Sequence, residues 1–502
     1  VARGIIAGMM SASRFRLDFA IAVRCALILG LLGCAACVTT GGASDEAEEP
    51  TLTAEEHAPQ KDTEAPDSAE TPESTEEEGE VPLAVAESEH REQSAADSEL
   101  AEVIVQARAR HEVIHDLVSE AQALLSDVEL RYAFTGKGKR EVLRGRPVAF
   151  ALWSEAKEEW TIAHIEIPRP PVKWKPGGKP MPFTMLTPGI QARHVKGTGA
   201  ERLMFAFSSG DDQLKVYGRK YPVFDSALLK KKQWRAVAQT ARPIVYLPYT
   251  EDTFDPLFVS NGKDFLLATA RQAIGELRSA AVPSAAFSGE LLADVVPAEV
   301  ITTLAVIEQT DDADYVAKQK DAVNEVLSQY GLKREEAYRY SVSKAAAIGP
   351  MQFTNKRGKG TYAMVVRRCP GARLDPNFER GATNILNAMK GAICLLDIEL
   401  SQMKSDIQEA YRANPAVLGI FPVAAYNGGP RNVAKLYRVL DRTGVQLDSL
   451  SRPGEQIEGS PVTCPCIWKQ DATGVRPVSI PKYNNENRWY IEKYQNILGL
   501  FE

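Results

Sequence analysis

Two hydrophobic periods divide this chain, and the change between them limits the possible folds more than any other feature. Within residues 131–250, "RPVAFALW", "WTIAHIEI", "RLMFAFSS", "QLKVYGRKY" and "RPIVYLPY" are short and rich in β-branched and aromatic residues. Gly, Pro or charged turns bound them, a pattern that predicts strands. From about residue 262, "GKDFLLATARQAIGELRSA", "VPAEVITTLAVIEQTDD", "FERGATNILNAMKGAICLLDIELSQM" and "WYIEKYQNILGLF" repeat apolar residues at three and four, which predicts helices. A further amphipathic helix is expected over 98–128, where Val103, Ala107, Val113, Ile114, Leu117, Ala121 and Leu124 keep mostly helical spacing. "PRPPVKWKPGGKPMPF" reads as a Pro-rich loop between strands. The expected class is α+β multidomain, with a helix and β-rich accessory domain at 98–254 and an all-α C-terminal domain at 255–502.

The N-terminal region has a different composition. Residues 38–80 are dominated by Asp and Glu, interrupted by Pro, Thr and Ser, with Lys61 the single Lys or Arg and no Phe, Tyr or Trp. Such a segment buries too little apolar surface to offset its ordering entropy, so residues 34–97 are expected to form a disordered, self-repelling acidic tether. Without it the remainder is mildly basic, which suits an anionic polymer as partner. Ahead of the tether, Arg14, Arg16 and Arg24 flank the apolar "CALILGLLG", the pattern of an export signal over 1–33. "LLGC" resembles a bacterial lipoprotein signal. The resemblance implies lipid on Cys34, with Cys37 a competing site, and attachment to a membrane in the bacterial periplasm, at the outer membrane.

Inventory excludes some chemistry. The histidines are His57, His90, His111, His115, His164 and His194, so the helical domain has none of its own. A zinc site or a Cys–His nucleophilic pair built within that domain is thereby excluded, since both need an imidazole. Cys369, Cys394, Cys464 and Cys466 allow three pairings in an exported protein, and sequence does not choose among them. No metal, cofactor or nucleic-acid partner is expected.

Three fragments of the helical half carry polar groups suited to chemistry. "VITTLAVIEQTD" is an apolar helix ending at Glu308. A carboxyl set against apolar side chains loses solvation of its charged form and can hold a proton near neutral pH. "SKAAAIGPMQ" combines Ser343, Gly349, Met351 and Gln352: the glycine permits close approach of a backbone or ligand, and the Gln amide both donates and accepts. "AAYNGGPRNV" places Tyr426 and Asn427 before a Gly-Gly turn and a Pro suited to a helix start.

In this order the three fragments resemble the soluble lytic transglycosylase (SLT) domain family, which has a goose-lysozyme-like helical fold. The resemblance covers about 285–502. "NFERGATNILNAMKGAICLL" looks like the family helix before the Tyr-Asn motif, and "NNENRWYIEKYQNIL" resembles its closing segment, with Tyr490. The resemblance implies cleavage of peptidoglycan glycan strands between N-acetylmuramic acid and N-acetylglucosamine. One carboxyl acts first as acid and then as base, and the product carries an anhydromuramic end. Glu308 would be that acid/base, Ser343 would contact an acetamido group, and Met351 and Gln352 would line the cleft. Tyr426 and Asn427 would position Glu308 and substrate, and Tyr490 would form a wall. Ser343 lies much further beyond Glu308 than in the family, with "DYVAKQKDAVNEVLSQYGLKREEAYRY" between them. That leaves Glu335 and Glu336 as alternative acids. A water-using muramidase and a non-catalytic lipoprotein that holds peptidoglycan, with the accessory domain binding glycan or a protein partner, are the competing readings. A cell-wall amidase would need His164 or His194 to reach the helical domain.

Overall fold

The computed structural model describes residues 108–501, apart from 169–178, 200–201, 248, 344, 356–357, 452–465 and 480–484. The export signal, Cys34, the acidic tether, most of the Pro-rich loop and Cys464 lie outside the described residues.

The β-rich half holds one antiparallel, seven-stranded sheet and, ahead of it, a short separate strand pair, Phe134–Thr135 with Val142–Leu143. The sheet's strands are β1 (Gly145–Ser154), β2 (Glu159–Pro168), β3 (Thr184–Met185), β4 (Gln191–Lys196), β5 (Met204–Ser209), β6 (Asp212–Val223) and β7 (Arg242–Tyr246), ordered β3-β2-β1-β6-β5-β4, with β7 also on β6. The long β6 serves two neighbours in turn: its start pairs with β5 (Phe207 opposite Leu214) and its end with β7 (Arg219 opposite Tyr246). A register shift at Ala151/Leu152 of β1 bends the sheet where this exchange occurs.

Alternation along β1 gives each face its own core. Val148, Phe150 and Leu152 point into a cluster with Ile165, Phe205 and Phe207. Ala149 and Ala151 face the other way, and their small side chains leave room for helix α1 (Arg110–Ser126), which seats Ile114, Val118, Ala121 and Leu125 there. Gly218 completes the fit, since a Cβ on it would stand 2.9 Å from Leu125 Cδ1. Trp153, Trp160 and Tyr217 pack at tilted and edge-on angles at the edge of this layer, with successive ring centroids 5.1 and 5.9 Å apart, and Trp160 Nε1 donates to Glu120 at 2.9 Å. These aromatics pack under the helix.

Helices and a hairpin build the helical half. Asp255 caps α2 (Pro256–Ser279) by accepting from Leu257 N at 2.9 Å, with Pro256 at its first position. Helix α3 (Ala298–Gln309) is buried continuously from Val300 to Ile307, so it runs through the core. The segment between Glu308 and Ser343 forms the short helix Asp312–Lys318 and then α4 (Lys320–Lys333), whose Val323, Val326, Leu327 and Tyr330 enter the same core. Helices α2 and α4 cross at a pair of glycines. A Cβ on Gly262 would lie 2.0 Å from Leu327 O, and one on Gly331 1.9 Å from Phe258 O.

The helix expected across 378–403 is two: Phe378–Thr383, and α5 (Ile385–Leu400). Asn384 caps the second through Asn387 N at 2.8 Å, and its extended backbone ends the first. A disulfide joins Cys369 to Cys394 on α5, and Cys466 is disulfide-bonded as well. The half closes with α6 (Ile420–Gly428), the amphipathic helix Pro430–Thr443 and α7 (Asn485–Leu498).

The C-terminal half is not all-α. Strands β8 (Cys466–Asp471) and β9 (Gly474–Ser479) form a hairpin. Asp471 holds its turn, accepting from Thr473 N at 3.0 Å and from Arg476 Nε at 2.6 Å, while Gly474 takes a φ of 110°. Ile467 and Trp468 bury one end of the hairpin. Among the described residues, no helix is long and apolar enough to cross a membrane.

Candidate functional site

Glu308 is half-buried one residue short of the C-terminal end of α3, after a run of buried apolar side chains. Helix α7 brings Tyr490 to it, and the Tyr490 hydroxyl donates to Glu308 Oε1. From α6, Tyr426 stands near the same carboxylate. Burial, and after it the charge of Glu308, hold both phenols well above their ordinary titration range. Both hydroxyls therefore stay protonated and available as donors.

Tyr426 spends its hydroxyl on the Met351 carbonyl at 2.6 Å. That carbonyl belongs to the loop 341–353, which folds back on itself. Gly349 N donates to Ser341 O at 3.0 Å, Ile348 N to Phe353 O at 2.9 Å, and Ser343 N to Ala347 O at 2.9 Å. Gln309, the neighbour of Glu308, clamps the loop to α3. Its Nε2 donates to Gly349 O at 3.1 Å and to Pro350 O at 2.8 Å. Gly349 has a φ of 77°, and a Cβ there would meet Ala382 O at 1.9 Å. The close approach that this glycine permits is thus made by the protein's own backbone.

Helix α7 is fixed against the end of α3 by a second device. Lys493, 2% exposed, donates to Thr310 O at 2.9 Å and to Asp312 Oδ1 at 2.8 Å. An ammonium at a helix C-terminus also satisfies the negative end of that helix. Tyr490, one turn earlier on α7, inherits its position from this contact.

Glu308, Tyr426, Tyr490 and the Met351 carbonyl therefore converge from α3, α6, α7 and one loop. Ser343 is exposed and joins them through the loop, its Oγ accepting from Ala347 N at 3.1 Å. Gln352 is half-buried with a φ of 48°, and its amide donates to Ser341 Oγ at 3.2 Å and Gly349 O at 2.8 Å. Met351 has a fully buried side chain, so what it presents to this group is its carbonyl. Asn427 is half-buried in the last turn of α6. Glu335 and Glu336 sit on the exposed turn Arg334–Glu336, where Glu336 pairs with Arg339.

Two participants were not apparent from sequence: Gln309 as a clamp and Lys493 as an anchor. His194 is committed to the sheet, with Nδ1 accepting from Met181 N at 3.3 Å and Nε2 lying 2.7 Å from Gly197 O. Among the described residues, no group of three or more His, Cys, Asp or Glu could hold a metal ion. The chain matches no protein-family model, no curated protein and no solved structure.

Proposed function

We propose that the helical half is a lytic transglycosylase of the lysozyme-like SLT type, acting on peptidoglycan glycan strands with Glu308 as its acid and then its base. The observation that carries this reading is the meeting of one helix-end carboxyl with two protonated phenols and a clamped loop. Protonated Glu308 gives its proton to the bridging glycosidic oxygen as the bond from that oxygen to the anomeric carbon breaks. The resulting carboxylate takes the proton of the muramic acid's own primary hydroxyl, whose oxygen bonds to the anomeric carbon. No water is consumed, and the carboxyl returns to its starting state.

Tyr490, as donor to Oε1, steadies the carboxylate that exists between the two transfers and fixes which oxygen faces the substrate. Ser343, Gln352 and Asn427 supply polar groups for the sugars. The same reading makes the chain an exported lipoprotein, attached through Cys34 in the bacterial periplasm at the outer membrane. The amidase alternative is disfavoured by the placement of both candidate histidines in the sheet, His194 bonded to Met181 N and Gly197 O and His164 in mid-strand on β2 opposite Ala149. Mass spectrometry of the material released from intact sacculi tests the proposal. Anhydromuramic ends are expected; reducing ends would assign a muramidase, and binding without release would assign a peptidoglycan-holding protein.

A further inference from the structure

The sheet touches the helical half at the segments that shape the site. Tyr340, next to Ser341, packs partly buried against the sheet core built around Val148, Phe150 and Phe205. Ser341 is itself buried, and it accepts from Gly349 N at 3.0 Å through its carbonyl and from Gln352 Nε2 at 3.2 Å through its hydroxyl. The bonds that close the loop thus begin one residue from a ring held by the sheet. A second contact lies on the other side of Glu308. Arg202, in the turn before β5, donates to Asp311 Oδ2 at 3.1 Å, while Asp311 Oδ1 accepts from Ala313 N at 2.9 Å and starts the next helix. Third, Lys333 at the end of α4 stands 3.4 Å from the ring centroid of Tyr246 on β7.

These contacts differ in weight. Arg202 and Asp311 are 64% and 39% exposed at their side chains, so solvent screens most of their attraction. The Lys333 contact fixes α4, which lies a few residues upstream of the loop. Of these three contacts, Tyr340 is the one that joins a buried apolar core to the residue that bonds the loop, and side chains packed in a dense core have little freedom to shift.

We infer that the β-rich half is a working part of the site, with Tyr340 as a positioning residue that sets the Ser341–Gln352 loop against Glu308. This rests on the assignment of Glu308 as acid/base. A small misplacement of groups that orient substrate lowers turnover steeply while leaving much of the binding intact.

The test uses the full chain and its Tyr340→Ala and Tyr340→Phe variants on intact sacculi, well below each melting temperature. Tyr340→Ala is expected to lose about tenfold in the saturating rate of anhydro-end release with little change in the half-saturating sacculus concentration. Tyr340→Phe, which keeps the ring, is expected to recover most of that rate. Should Tyr340→Ala fail to fold, Tyr340→Leu carries the same comparison. A folded ring-less variant that releases anhydro ends at the wild-type rate overturns this inference alone. A wild-type protein that releases no anhydro ends overturns the transglycosylase reading, and this inference with it.

Discussion

Replacing Gln309 by Met separates the clamp from mere packing. Gln309 is 7% exposed, and Met retains its length and most of its volume without the amide. The substitution removes two neutral hydrogen bonds, to Gly349 O and Pro350 O. Gly349 O keeps the Gln352 donor at 2.8 Å, so the Pro350 carbonyl is the one deprived of its clamp. A net bond contributes about 1 kcal/mol, and a buried acceptor left without a donor costs about 1–3 kcal/mol, so the loss is about 2–4 kcal/mol. At about 2.1 cal/mol/K of unfolding entropy per residue, that lowers the melting temperature of a protein of this size by roughly 2–5 °C. Anhydro-end release should fall about tenfold below the melting transition, because the loop carrying the Met351 carbonyl is no longer fixed to the helix of Glu308. Gln309→Glu, which sets a carboxylate against two carbonyls, should be worse in both assays. A Gln309→Met protein that melts and turns over like wild type would refute the clamp.

Three other perturbations give distinct signatures. Tyr490→Phe removes the donor to Glu308 Oε1; a bond to a charged acceptor contributes about 1.5–3 kcal/mol, so the limb of the pH–rate profile set by the carboxyl should move up by about one to two pH units. An unmoved limb would remove Tyr490 from the mechanism. Gly331→Ala drives a methyl against Phe258 O and should cost about 1–3 kcal/mol by forcing α2 and α4 apart, seen as a lower melting temperature; equal melting would show that the crossing tolerates a side chain. Burial pushes Glu492 up to about 8 against the opposing pull of Arg488. The folded state then binds the proton more tightly than the unfolded chain, so stability is full below about pH 4.5 and is lost as pH rises toward 8, by at most about 1.4 kcal/mol per unit. Glu492→Gln should flatten that part of the melting-temperature profile; a slope unchanged by the substitution would assign it to other groups.

The strands were legible because β-branched and aromatic runs between turns leave few alternatives, and each of the five quoted runs contains or overlaps a strand. Strands β3 and β4 and the short pair Phe134–Thr135 with Val142–Leu143 were missed: "QARHVK" is polar and alternates only weakly, and its place comes from pairing with β5. The hairpin β8–β9 escaped for a related reason, since its signal is the Asp-Ala-Thr-Gly turn more than its flanks. At the site, the apolar run before Glu308 pointed to its half-buried setting, which the exposed turn of Glu335 and Glu336 lacks. The small residues around Gly349 pointed to a close approach but not to its partner, because Ala382 lies on a different element. Nothing local in the sequence marks Gln309 or Lys493, whose roles depend on which loop and which helix end the fold brings within reach. The same holds for Tyr490, expected as a wall and found bonded to Glu308.

The central claim is that one proton on Glu308 leaves for the glycosidic oxygen and is replaced from a hydroxyl on the same sugar. Mass analysis of sacculus digests by the wild type, by Glu308→Gln and by the double variant Glu335→Gln/Glu336→Gln addresses it directly. The account predicts anhydromuramic muropeptides from the wild type and the double variant, and none above background from Glu308→Gln. Undiminished anhydro products from Glu308→Gln, or their loss in the double variant alone, would contradict it.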